Sequence, residues 1–277
     1  NINADQYPFV QLQMKNTDTA HITPYQLKYW RLTYDPAPEG AIAPNLYFVM
    51  KDTFDIAEPL NLKVAFRNIS EGDFDSLKVK VIITDRNNVQ HGIEVMKHRP
   101  LPSATSPNDT LHIVIPADTR EFVGFNSLYL EVNPDNDQPE QYHFNNFAYK
   151  NFFVRGDTVN PVLDVTFDNV HILNHDIVSS KPDILIKLKD EAKWFLLDDS
   201  QTLDVSVRFP DGSVRPYQFG ADTLQFIPAQ QAPNNDNTAT AVFKPYLPED
   251  GDYELIVKGK DMSQNEAGRL EYRASFQ

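Results

Sequence analysis

Apolar residues return at every second position in one run after another. Leu60, Leu62, Val64 and Phe66 stand between Asn61, Lys63 and Ala65, and Leu77, Val79, Val81 and Ile83 alternate with residues that include Lys78 and Lys80. The same beat runs through Leu128, Leu130 and Val132, through Leu163, Val165 and Phe167, through Ile184, Ile186 and Leu188, and through Leu203, Val205, Val207 and Phe209. Successive side chains of a strand point to opposite faces, so each run is a strand with one face on a core and one in solvent. Apart from a short turn expected within Asp190 to Asp199, the sequence predicts no helix. Short strands at this spacing, separated by polar turns, close into sandwiches. The fold class expected is all-β: tandem immunoglobulin-like β-sandwiches preceded by the last strands of another β domain.

Punctuation divides the chain into 1–44, 45–156 and 157–277. In the first segment, Phe9 to Met14 and Gln26 to Tyr34 read as terminal strands of an upstream sandwich, with Trp30, Leu32 and Tyr34 on one face. Asp35 to Gly40 is a linker-like break. Two strands alone are marginal in water, so these are expected to complete a sheet begun upstream or to pack on the next domain. The second segment has about seven strands, a hairpin turn at Arg86 to Val89, and a Pro/Ser-rich loop from Met96 to Asp109. The third repeats the plan, with a turn at Pro210 to Ser213 and an exposed loop from Ala229 to Asn237. There Tyr253 stands two residues before Leu255, which suggests a tyrosine corner with hydrophobic packing in place of a disulfide.

Totals exclude several functions. There is no cysteine, so no disulfide, thiolate metal site or cysteine nucleophile lies within these residues. The net charge is −14, most of it in the last segment, and no basic stripe offsets it, which argues against nucleic acid as a partner. No apolar run approaches the ~20 residues of a membrane-spanning helix, and Asn1 to Asp5 does not open a signal peptide. Nor is there a glycine-rich phosphate loop or a Gly-x-Ser-x-Gly elbow. Catalytic residues expected: none.

The loop from Asn133 to Asn146 joins two strands, and its prolines and acidic residues forbid helix or ladder. It offers Asp135, Asp137 and Glu140, hard oxygen donors on a loop able to fold around calcium. The competing reading makes Asp135 and Asn136 turn-formers and has Asn145 and Asn146 satisfy loop backbone. A second acidic turn, Asp261 to Glu266, is the other calcium candidate, together with Asp250 and Asp252. His171 and His175 lie four apart, a spacing that does not converge on a strand, so zinc is not expected. Tyr25, Tyr29, Trp30 and Tyr34 could form a sugar platform, but the shared face of Trp30, Leu32 and Tyr34 favours a core.

Several stretches go beyond a generic sandwich. Gln26-Leu27-Lys28-Tyr29-Trp30-Arg31-Leu32-Thr33-Tyr34-Asp35, followed by Pro38-Glu39, is similar to the segment preceding the tandem sandwiches of gingipain-type cysteine peptidases of Bacteroidota, the PorU-like proteins of the type IX secretion system. The acidic loop, Asn160 to Asp168, His171-Ile172-Leu173 and Asp176 to Ser179 resemble the same proteins, and the middle segment resembles the CARDB adhesion-related module. The resemblance implies an exported or cell-surface protein with a peptidase domain upstream and a sorting domain downstream. No catalytic residue is carried over. It also implies O-glycosylation at Asp-Ser/Thr motifs, here Thr19, Ser76, Thr110, Thr158 and Thr223.

The function expected is therefore non-catalytic: a stalk or docking region whose partners are the remainder of its own polypeptide and secretion-system or surface proteins. The alternative is an adhesin or glycan-binding sandwich module stabilised by calcium.

Overall fold

The computed structural model describes residues 6–7, 9–17, 19–20, 26–220, 222–230, 236–268 and 271–277. Two compact units result, Asn1–Pro36 and Ala37–Gln277. The described residues of the first form no strand. Strands were expected at Phe9 to Met14 and Gln26 to Tyr34. Instead Phe9 is 92% and Tyr29 72% exposed, and Trp30, Leu32 and Tyr34 are exposed as well. Alternation makes a strand only where a neighbouring strand supplies backbone hydrogen bonds, and the described residues supply none here.

In the second unit the first nine strands are β1 (Gly40–Ile42), β2 (Phe48–Val49), β3 (Thr53–Asp55), β4 (Leu60–Asn68), β5 (Phe74–Thr84), β6 (Gln90–Leu101), β7 (Thr110–Ala117), β8 (Gly124–Val132) and β9 (Phe147–Arg155). β4 carries β1 and β2 on one side and β7 on the other; β3-β9-β8-β5-β6 form the facing sheet. The expected break after residue 44 thus runs behind a strand, since Gly40 to Ile42 pair with Phe66 to Asn68. Gly40 permits this, because a Cβ there would lie 2.3 Å from the Phe66 ring.

The alternating runs supply the core. Leu60, Leu62, Val64, Phe66, Leu77, Val79, Ile83, Ile113, Ile115, Leu130 and Val132 are wholly buried. The hairpin at Arg86 to Val89 forms as expected: Asn88 has φ 61° and the Asp85 carboxylate accepts from the Asn87 and Val89 amides. The loop expected from Met96 starts later, because β6 runs to Leu101. Pro100 is tolerated because β6 is an edge strand.

The second sandwich contains β10 (Val162–Phe167), β11 (Ile184–Asp190), β12 (Leu203–Arg208), β13 (Val214–Tyr217), β14 (Leu224–Ile227), β15 (Asn237–Phe243), β16 (Tyr253–Gly259) and β17 (Tyr272–Phe276). Its sheets are β10-β11-β15-β14 and β13-β12-β16-β17, closed on a separate core. The Tyr253 hydroxyl donates to the Glu249 carbonyl at 2.9 Å, the geometry of a tyrosine corner, and Leu255 is fully buried. The short turn expected within Asp190 to Asp199 falls just beyond it, as a 3-10 turn at Ser200–Thr202 capped by Asp199. Of the Ala229 to Asn237 loop, 231–235 lie outside the described residues.

Candidate metal centre

The fold does not bring Asp135, Asp137 and Glu140 together. The Lys78 ammonium reaches from β5 to Asp135 at 2.7 Å and to Asp137 at 3.5 Å, so those two carboxylates already hold a cation from the protein. The bond to Lys78 holds the Asp135 carboxyl below its ordinary range. Glu140 turns the other way. Its side chain is 1% exposed, and its Oε1 accepts from the amides of Asn133 at 2.5 Å and Asn146 at 2.6 Å. Burial raises its carboxyl pKa. Asn133 and Asn136 take the left-handed backbone that lets the loop fold over this carboxylate.

The carboxylates that do converge are Asp157, Asp190 and Asp261, whose oxygens lie within 4.8 Å of one another. Asp157 belongs to the linker between β9 and β10, Asp190 ends β11, and Asp261 lies just past β16. Asp190 is 5% and Asp261 0% exposed. Asp190 Oδ1 accepts from the Glu191 amide and Oδ2 from the Asn237 side chain. Asp261 accepts from the Asn265 amide at 2.8 Å and from its side chain at 2.7 Å, and that side chain also donates to the Asp157 carbonyl at 3.3 Å. Asp157 Oδ1 accepts from the Val159 amide, whereas its Oδ2 is buried with no hydrogen-bond partner.

Burial, then mutual repulsion, sets the charge state. The Asp190 carboxyl is pushed up to about 6 by desolvation and by the Asp157 charge, and Asp157 is raised by desolvation and by Asp261. Three carboxylates this close, Asp190 and Asp261 buried and Asp157 half-buried, cannot all remain ionised without a counter-charge. They either share protons or surround a hard cation with oxygen ligands.

Of the second calcium candidate, Asp261 is the one carboxylate that joins this site, with Asn265 bonded to it. Asp252 turns to the Gln277 side chain at 2.8 Å, and Glu266 pairs through its backbone with Lys260. Asp157 and Asp190 were not anticipated as ligands, yet the strands carry a signal. Ile184, Ile186 and Leu188 face the core, and Asp190 is the next residue in that register. Tyr253, Leu255 and Val257 face the core, and Gly259 and Asp261 continue the beat. An aspartate on the inward beat of a strand end is a buried aspartate.

The histidines do not meet: His171 bonds Asp164 at 2.6 Å and His175 lies 3.7 Å from Asp252. Of the sugar-platform residues, Tyr25 is outside the described residues, as is Asp18 of the first Asp-Thr motif. Thr19 and Thr158 are exposed, while Ser76, Thr110 and Thr223 are half-buried. Thr110 donates to Asp109, which also holds Arg67 at 2.7 Å.

No protein-family model matches the chain, and no curated protein matches it. Among solved structures it is similar to a CARDB domain from Pyrococcus furiosus in complex with di-metal ions, at 15% identity over 45% of this chain and 100% of that one, TM-score 0.34. It is also similar to dimeric latent PorU from Porphyromonas gingivalis, at 11% identity over 87% of this chain and 24% of that one, TM-score 0.31. A β-glucosidase from Listeria innocua in complex with gluconolactone matches at 12% identity over 51% of this chain and 20% of that one, TM-score 0.30. At these scores the likenesses carry no argument, and the fold rests on the strands themselves. No helix among the described residues is long and apolar enough to cross a membrane.

Proposed function

We propose that the chain is a non-catalytic structural and interaction region, the stalk or docking part of an exported, cell-surface cysteine peptidase of the gingipain type linked to type IX secretion. The observation that carries this reading is the fastened linker. On the first sandwich, the Arg155 guanidinium holds Asp55 at 2.7 Å and the Arg155 carbonyl accepts from Ile56. Two residues on, Asp157 joins the buried aspartates of the second sandwich. A connection tied down on both sides spaces its neighbours and orients them, which suits a stalk. The peptidase parentage is supported by the resemblance of Gln26 to Asp35 and of Asn160 to Asp168 to such proteins. Peptide sequencing of the native protein from its host's surface fraction tests this. Peptides continuing upstream into a domain with a His–Cys pair are expected; a mature protein of only this length would end the peptidase reading.

The aspartate triad gives the joint its sensitivity. At neutral pH a divalent cation neutralises it, and an all-oxygen donor set suits calcium. Calcium should raise the melting temperature and a chelator lower it. An unchanged melt would remove the cation from the proposal and leave the stalk standing.

A further inference from the structure

A cleft of about 440 Å³ opens between the two sandwiches. Pro59, Pro116 and Ala117 of the first sandwich and Trp194, from the loop after β11 of the second, give it an apolar lining, and Asp118, Arg120 and Asp198 line it with charge. A smaller hollow of about 200 Å³ lies on another side of Trp194, beside Lys51 and Glu58. Trp194 belongs to neither sandwich core. Pockets at the junction of two domains, mostly apolar with a few placed polar groups, are where small ligands bind.

The charges narrow the ligand. Arg120 is already bound to Asp118, with Nε at 2.7 Å and Nη2 at 2.5 Å, and Lys51 is paired with Glu58. An anion entering the cleft would meet Asp118 and Asp198, and a cation would compete with Arg120. An aromatic peptide side chain would cover the apolar lining but offer Asp198 no donor and the remaining Arg120 N–H groups no acceptor. A neutral ligand with one apolar face and several hydroxyls satisfies both sets of groups. The guanidinium donates, the carboxylates accept, and an indole face receives C–H groups.

We propose that the Trp194 cleft binds a neutral saccharide, with one pyranose ring stacked on the indole and its hydroxyls shared between Arg120 and Asp198. This goes beyond the stalk reading and stands whether or not the parent is a peptidase.

The chain has two tryptophans, so Trp30→Phe leaves Trp194 as the sole indole reporter. In that variant of the 277-residue chain, millimolar maltose, cellobiose or N,N′-diacetylchitobiose should change the indole emission, with saturation-transfer NMR reporting the bound sugar. Trp194→Ala and Arg120→Ala, each checked for an unchanged circular-dichroism spectrum, should weaken the sugar that binds by at least about tenfold. Trp194→Phe, which keeps a ring, should lose less and covers the case in which the alanine variant does not fold. No binding by any of the three sugars overturns the proposal. So does binding undiminished in a folded Trp194→Ala chain, or capture of phenylalanine-containing dipeptides in place of sugars.

Discussion

The acidic loop of the first sandwich and the aspartate triad of the second use the same residue type in opposite ways. In the loop, Asp135 and Asp137 are exposed and share Lys78, and Glu140 is buried under two asparagine amides. In the triad three carboxylates meet with amide donors but no cationic side chain among their hydrogen bonds. The loop is conspicuous in sequence, and its two exposed aspartates already hold a positive partner in Lys78. The triad comes from residues 157, 190 and 261, and among the described residues no cationic side chain bonds to it. Density of acidic residues along a chain therefore says little about cation binding. What matters is whether the fold has already supplied the positive partner.

Removing charge from the triad should have the largest effect. A carboxyl raised to about 6 binds its proton more tightly folded than unfolded. It therefore stabilises the fold at low pH, and that stability is lost as pH rises from about 4 through about 6, on the order of 3 kcal/mol over the whole window and about half of that above pH 5. Cation-free protein should thus melt higher at about pH 5 than at about pH 7.5, the reverse of the usual carboxylate effect. Asp190→Asn should raise the cation-free melting temperature at neutral pH by several degrees and flatten both the pH and the calcium responses. A cation-free melt that falls on acidification over this range would erase the contrast between the two sites.

A smaller effect is expected in the loop. Glu140→Ala removes one acceptor from each of the side-chain amides of Asn133 and Asn146 and should cost about 1–3 kcal/mol in denaturant unfolding. Glu140→Gln, which keeps an acceptor oxygen, should cost less. The calcium response should be the same in all three proteins; if it disappears with Glu140, the cation belongs to the loop.

The smallest effect is expected at the surface. Asp135→Asn weakens an exposed pairing with Lys78 and should shift stability by less than about 0.5 kcal/mol, measured by the same unfolding curves. It should leave calcium-dependent stabilisation untouched. Loss of that stabilisation would restore the loop as the metal site.

Strand periodicity made the sandwiches legible because each inward beat is a local property. Leu60 to Phe66 and Ile184 to Leu188 are buried where their alternation puts them. The same beat misleads at Trp30, Leu32 and Tyr34, since no neighbouring strand among the described residues completes the ladder. Candidate ligands were harder to find for a related reason. Asp135, Asp137 and Glu140 are close along the chain, but Lys78, the residue that decides their role, comes from a strand 57 positions away. Asp157 could be singled out only for the threonine that follows it. Its partners enter through the pairing of strand ends, which no local pattern records.

The exposed margin of β6 bears on whether one copy can pair with another. Twelve residues long and paired on one side only, β6 is a long edge on which another chain could template a strand. Register shifts interrupt its pairing with β5 at three places, between Phe74 and Ser76, between Ser76 and Lys78, and between Val81 and Ile82. Pro100 removes one backbone donor, and Lys97 and Arg99 set positive charges along the strand. A bent, charged edge that lacks a donor fits poorly against a second copy of itself. That margin guards against edge-to-edge aggregation.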